Sequence, residues 1–300
     1  MNPAKEMEHL RLAAEISGVD AEIVLPTSQH AVVAGFRLHY LDWGTHGHQP
    51  IVFLHGVALN AHTWDVVCLA MRPQYHCLAL DQRGHGDSEW APDADYSPEA
   101  HLRDVEGFAD HLGLDQFVLV GHSMGGLNAL VYATNHSDRL AALAIVDIGP
   151  GMRSGGAQRI RDFVAETAEL DSLEDAVQKA LAFNPRRDPR LLRHSLQYNL
   201  RELPSGKWAR KHDLRMWKQG ELRERQRARM REYFKDAHRI KCPTLIVRGA
   251  SSDVFLDEDA EKFAQTFPKG RYVSIEGAGH TVQGDNPRAL SQALAQFLDR

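Results

Sequence analysis

Residues 117–126 read Phe117-Val118-Leu119-Val120-Gly121-His122-Ser123-Met124-Gly125-Gly126. Four apolar residues, the pattern of a buried strand, run straight into a G-x-S-x-G pentapeptide. A helical pattern, Leu127–Asn135, follows. The spacing has a mechanical reason. A serine at the apex of a sharp strand-to-helix turn is forced into strained backbone. The positions two residues to either side must lack a Cβ so that strand and helix can close together. Ser123 Oγ then stands out over a sheet, at the N-terminus of a helix whose dipole favours developing negative charge. These features make Ser123 a candidate nucleophile.

The neighbouring segments repeat the same rhythm. Upstream, Ile51–Leu54 is a continuous apolar run, the pattern of a strand buried on both faces. It ends in His55-Gly56-Val57, ahead of a helix expected over Thr63–Met71. Gly56 allows the Val57 amide to point into the crevice, while His55 reads as a hydrogen-bonded turn residue. His76–Leu80 is the next strand. It leads into Asp81-Gln82-Arg83-Gly84-His85-Gly86-Asp87-Ser88, which lacks the third glycine and the Lys-Ser/Thr of a phosphate loop. It reads as structural, with Asp81 and Arg83 paired. Ser97-Pro98-Glu99 opens a helix through Leu112 with a cap, a first-position proline and an acid. Further out, Ile23–Leu25 and Phe36–Trp43 read as strands, and residues 1–20 as a short amphipathic helix.

Downstream of the serine, Leu140–Val146 is another buried strand, ending in Asp147-Ile148-Gly149-Pro150. The alternation then stops. Residues 151–238 show helical patterns at Ala157–Glu169, Leu173–Ala182, Pro189–Asn199, Trp208–Trp217 and Glu221–Phe234, and no convincing strand. They read as a helical cap inserted into a core formed by 1–150 and 239–300. Between Lys207 and Arg231 there are ten Lys/Arg against three Asp/Glu. That excess suits a solvated helix face or attraction to an anion. The rhythm resumes with Thr244–Val247, Asp253 in the loop beyond it, a helix over Asp257–Phe267, the strand Arg271–Ile275, Gly277-Ala278-Gly279-His280, and a closing helix over Pro287–Leu298.

Composition narrows the function classes. The chain of 300 residues is 43% hydrophobic and 25% charged, as in an ordinary globular protein. A net charge of −5 argues against a general nucleic-acid binder. Three scattered cysteines offer neither a disulfide framework nor a zinc site. Seventeen histidines are dispersed without metal-ligand spacing. No apolar run suits a membrane span and no secretory leader is visible, so a cytoplasmic location is expected. Neither a metal nor another cofactor is expected, and nothing specifies an oligomeric state.

Three functional groups therefore fall at the carboxyl ends of different strands. Serine is a poor nucleophile without a base, and His280, in a glycine-flanked loop after the last strand, is the candidate. A buried carboxylate must orient the imidazole and stabilise its protonated form. Asp253 and Asp147 are rival candidates for that carboxylate. The backbone amides of Val57 and Met124 are expected to form an oxyanion hole.

Taken together, His55-Gly56, the Asp81–Ser88 stretch, Gly121–Gly126, Asp253 and Gly279-His280 resemble the α/β-hydrolase superfamily over roughly residues 30–150 and 240–298. The resemblance implies an eight-stranded, mostly parallel α/β sheet with helices on both faces and an inserted helical cap. Serine at position 123 departs from the branches that attack with a carboxylate. The usual place of the acid, after the penultimate strand, favours Asp253, although that loop is one residue longer than usual. Asp147-Ile148-Gly149-Pro150 is similar to a stretch that supplies the acid in some small esterases of the superfamily. The function so implied is hydrolysis of a small-molecule carboxylic ester through an acyl-serine. A lactonase or C–C bond hydrolase on the same triad is the alternative, and a small-molecule receptor on the same scaffold a more distant one. Met152, Phe163, Phe183, Trp208, Met216 and Trp217 are the cap residues expected near the substrate.

Overall fold

The computed structural model describes residues 2–217 and 220–299, with the side chains of 217 and 220–227 outside that description. Helix α1 (Pro3–Ile16) precedes a hairpin of β1 (Thr27–Val33) and β2 (Phe36–Asp42). Strands β3 (Gln49–Leu54), β4 (Tyr75–Leu80), β5 (Phe117–His122) and β6 (Leu140–Val146) then alternate with α2 (Asp65–Met71), α3 (Pro98–His111) and α4 (Met124–His136). An insertion follows: α5 (Ser154–Glu166), β7 (Glu169–Leu170), α6 (Leu173–Phe183), α7 (Pro189–Asn199), β8 (Leu200–Glu202), β9 (Trp208–Arg210) and α8 (Gly220–Asp236). The chain closes with β10 (Thr244–Gly249), α9 (Asp257–Gln265), β11 (Gly270–Ile275), α10 (Val282–Asp285) and α11 (Pro287–Leu298). Asn2-Pro3, Ser97-Pro98, Asp188-Pro189 and Asn286-Pro287 open four of these helices, each with a side chain accepting from a first-turn amide.

Eight strands form one sheet in the order β1-β2-β4-β3-β5-β6-β10-β11, and only β2 runs against the rest. Alternation along each strand feeds two cores. Val52, Leu54, Phe117 and Leu119 pack on one face with α3, α4 and α9; Ile51, Phe53, Val118 and Val120 pack on the other with α1, α2 and α11. Each such buried side chain contributes on the order of 1.5–3 kcal/mol. The chain leaves β3 toward β4 and returns across it to β5. That reversal opens a crevice at the carboxyl ends of β3 and β5, where sheets of this kind place ligands.

Several expectations need correction. Residues 23–25 form no strand; they lie half-buried along the second core. The first strand is Thr27–Val33, where only Ala31 and Val33 are buried, so the apolar signal is weak. Within the insertion, β7, β9 and β8 make a small antiparallel sheet that was not expected. Trp208–Trp217 is not a helix: Trp208–Arg210 is a strand and Leu214–Trp217 a 3-10 turn. The physical cause is the hairpin turn Leu203-Pro204-Ser205-Gly206-Lys207, closed by Leu203 and Lys207 backbone groups with Gly206 at φ 80°.

Asp81 and Arg83 are not partners. Arg83 makes a two-pronged pair with Asp104, at 2.5 and 2.6 Å. Asp81 is fully buried and accepts from His39 Nδ1, Ala61 N and Asp87 N at 2.8, 2.6 and 2.9 Å. The loop wraps this carboxylate so closely that a Cβ on Gly86, at φ 55°, would lie 2.0 Å from its oxygen. Burial pushes the Asp81 pKa up, but the His39 bond and charge outweigh it and hold the carboxyl well below its usual range. A depressed folded-state pKa contributes stability that is complete above the unfolded value of 3.8 and is lost as pH falls below it. Asp81→Asn is expected to cost about 3 kcal/mol at pH 7, because it breaks a buried network. In urea titrations the gap between wild type and variant should shrink as pH drops below about 4.

Candidate active site

Ser123 sits where β5 turns into α4, with φ 52° and ψ −116°. A non-glycine residue holds such a conformation only where its surroundings impose it. The surroundings do so here: Ser123 N donates to Val146 O at 2.9 Å, and Leu127 N donates back to Ser123 O at 3.0 Å. A Cβ at Gly121 would lie 2.2 Å from Gly125 O, and one at Gly125 2.4 Å from Leu54 O. The glycines are therefore required by backbone contact. Gly121→Ala is expected to abolish soluble expression or to cost more than about 3 kcal/mol, as overpacking against backbone has no flexible partner to give way; expression yield and thermal melting read this out.

His280 reaches the serine from the loop between β11 and α10. Its Nε2 lies 3.1 Å from Ser123 Oγ, and its Nδ1 lies 2.8 Å from Asp147 Oδ2. With Nδ1–H donated to the carboxylate, Nε2 is left to accept the serine proton. The His280 carbonyl is fixed by His122, whose Nε2–H donates to it at 2.8 Å. Gln283 Nε2 donates to the other nitrogen of His122 at 3.2 Å. Burial, and then the neighbouring His280, push the His122 pKa well below its ordinary value, so this ring stays neutral and keeps the required tautomer.

Asp147 follows β6 with φ 52° and has a fully buried side chain. Its Oδ1 accepts from Gly249 N at 2.9 Å, and its Oδ2 accepts from Ser252 Oγ at 2.5 Å as well as from His280. The structure does not bring Asp253 to His280. Its side chain is half exposed and paired with Arg159. The reason lies in the loop after β10. Arg248 donates to the carbonyls of Ala250, Ser252 and Phe255, which fixes the loop with Ser252 turned inward to Asp147. Asp253 is left on the Arg159 side of the loop, away from His280.

The β3–α2 turn lies against the serine. A Cβ on Gly56 would sit 2.7 Å from His122 Nδ1 and 3.3 Å from Ser123 Cβ. Among the described residues, neither the Val57 nor the Met124 amide donates to a protein acceptor. His55 is the hydrogen-bonded residue expected: its Nδ1–H donates to Gly56 O at 2.8 Å, and its Nε2 accepts from Gln82 N at 3.0 Å. Gln82 also bonds His55 O at 2.6 Å and accepts from Asn128 of α4 at 2.7 Å. This ties the Gly56–Val57 turn to the helix that carries the serine. Burial lowers the His55 pKa, which keeps the ring neutral.

Two cavities meet at Ser123 and His280. One, of about 280 Å³, is bordered by Gly56, Val57, Phe163, Phe183 and three arginines, Arg159, Arg186 and Arg210. The other, of about 290 Å³, is more apolar, with Leu127, Ile148, Met152, Met216 and Met230 in its wall. Met152 and Met216 border the second cavity and Phe163 and Phe183 the first. Trp208 borders neither: it packs on Leu170 and its neighbours in the insertion's own small core. The Trp217 side chain lies outside the described residues. Among the described residues, two groups of His and Asp donors have metal-like spacing, Asp42/His46/His76 and His39/Asp81/Asp87, and neither borders these cavities.

The fold agrees with comparison to known proteins. The family model described as "alpha/beta hydrolase fold" matches residues 49–287. The chain belongs to the α/β-hydrolase superfamily. It is 30% identical to "Esterase Rv0045c" of Mycobacterium tuberculosis across 95% of this chain and 93% of that protein. It is also 30% identical to mouse "sn-1-specific diacylglycerol lipase ABHD11", covering 83% of this chain and 80% of the relative. The crystal structure of the mycobacterial esterase superposes with a TM-score of 0.77 at 29% identity, over 98% of both chains. Among the described residues, no helix of this α/β hydrolase is long and apolar enough to cross a membrane. Sequence reading missed Ser252 and Gln283; neither lies in a motif. His122 was visible inside the pentapeptide, but its bond to the His280 carbonyl spans 158 positions and leaves no local signal.

Proposed function

We propose that the protein hydrolyses carboxylic esters through an acyl-serine intermediate. The observation that carries this reading is the unbroken hydrogen-bonded chain from Ser123 Oγ through His280 to Asp147, opening onto two cavities. In the proposed mechanism Ser123 attacks the ester carbonyl while His280 Nε2 takes its proton. Asp147 holds the imidazole and stabilises its charge. The oxyanion rests on the Val57 and Met124 amides, the latter at the start of α4. His280 then gives its proton to the departing alcohol, and a water activated by the same ring releases the acid. Residues 151–238 act as a cap, since α5 supplies wall to both cavities, β9 to the arginine-lined one and the 3-10 turn to the apolar one. The names of the mycobacterial and murine relatives, an esterase and a lipase, support an ester as the bond attacked.

A series of p-nitrophenyl esters tests this. The apolar cavity is small for a ligand pocket. kcat/KM is expected to rise by up to about fourfold per added methylene, about 0.8 kcal/mol each, while the acyl chain fills the cavity. It should fall for long chains. Absence of turnover across the series would overturn the reading.

A further inference from the structure

The arginine-lined cavity holds a charge that the hydrolytic reading does not use. Arg210 is 7% exposed. Its Nε and Nη2 both donate to Thr167 Oγ1, at 2.9 and 2.7 Å, and its guanidinium lies over the Phe163 ring at 5.2 Å. Among the described residues it has no carboxylate partner. Burial alone pushes its pKa down to about 10, so it remains charged near neutral pH. An uncompensated buried cation is costly, and a hydroxyl and a ring occupy only part of a five-donor fork.

The carboxylates nearby are engaged elsewhere. Asp253, on the same wall, is paired with Arg159. Asp147 is committed to His280, Ser252 and Gly249. Asp285 accepts from Gly279 N and Asn184 and lies 3.6 Å from Arg187. Arg186, exposed, rests against the Gly279 backbone beside His280 with no carboxylate partner among the described residues. Among the described residues, the basic stretch between Lys207 and Arg231 divides likewise. Lys211, Arg215 and Arg229 are matched by Asp87, Asp213 and Glu99, whereas Arg210 turns inward.

We infer that the ester taken by this protein carries a carboxylate on the portion that fills the arginine-lined cavity, and that Arg210 is the residue that holds it. This rests on the hydrolytic role of Ser123. A carboxylate accepts from a guanidinium on two oxygens at once, and the geometry selects anionic esters over neutral ones of the same shape.

An acyl chain that ends in a carboxylate is kept out of the apolar cavity by the cost of desolvating its charge and turns instead to the arginine-lined one. Monoethyl succinate and ethyl butyrate differ mainly in carboxylate against methyl at the end of that chain, and ethanol release measures both. Wild-type protein is expected to show kcat/KM at least about tenfold higher for monoethyl succinate, and free succinate should inhibit ethyl butyrate turnover more strongly than butyrate does. Arg210→Met should erase that preference and Arg210→Lys should restore part of it. If Arg210→Met fails to fold, the wild-type ratio decides on the carboxylate, and Arg210→Gln, which should lose the preference, decides on Arg210. Equal efficiency on the two esters, or a preference that survives in Arg210→Met, would overturn the inference and leave ester hydrolysis intact. No turnover of either ester, or of any p-nitrophenyl ester, would strike the hydrolytic reading itself.

Discussion

Ser123→Ala is expected to lower kcat on a short p-nitrophenyl ester by at least about 10⁴, with little change in melting temperature. The size of the loss follows from the geometry. Ser123 Oγ is the hydroxyl that lies 3.1 Å from His280 Nε2, whereas Ser252 Oγ is spent on Asp147 at 2.5 Å. Removing Ser123 Oγ leaves the imidazole with no group to deprotonate. The Val57 and Met124 amides proposed to hold the oxyanion stay in place with the cavities, so a residual rate above that in water is expected. The fold should tolerate the change. The strained φ of 52° is imposed by the backbone bonds to Val146 and Leu127, which alanine keeps.

Replacing Asp147 by asparagine should cost nearly as much, about 10⁴ in kcat, while Asp253→Asn costs less than about tenfold. Asparagine at position 147 must turn its NH₂ either toward Gly249 N or toward the side shared by Ser252 Oγ and His280 Nδ1. If it turns toward the histidine, the ring flips tautomer and presents an N–H to Ser123. If it turns toward Gly249, a buried donor loses its acceptor, at about 1–3 kcal/mol. Activity and thermal melting together separate these outcomes. Asp253, half exposed and held by Arg159, has no such connection. Comparable losses at the two positions would contradict the assignment of Asp147.

Much of this site was legible from residues alone, for a physical reason. Gly121, Ser123 and Gly125 are in one turn, and backbone contact makes the glycines obligatory, so their spacing survives in the linear sequence. His280 stands out because a glycine-rich loop follows the last strand. The choice between Asp147 and Asp253 was not legible. Both follow strands at the correct edge, and what separates them is how Arg248 ties the loop after β10. Likewise, Asp81 and Arg83 are close in sequence, yet the partners that hold them, His39 and Asp104, come from another strand and another helix. The small sheet in the insertion escaped because its strands are only two or three residues long. Arg210 was visible only as one member of a basic run; its burial depends on β9 forming.

The central claim is that Ser123 becomes covalently acylated. Intact-protein and peptide mass spectrometry after treatment with a fluorophosphonate, which phosphonylates serines activated by a histidine, measures this directly. The predicted result is one phosphonyl group per chain, on the peptide containing Ser123, formed in step with loss of esterase activity and absent from Ser123→Ala. Full inactivation with the label on another residue, or undiminished labelling of the alanine variant, would contradict it.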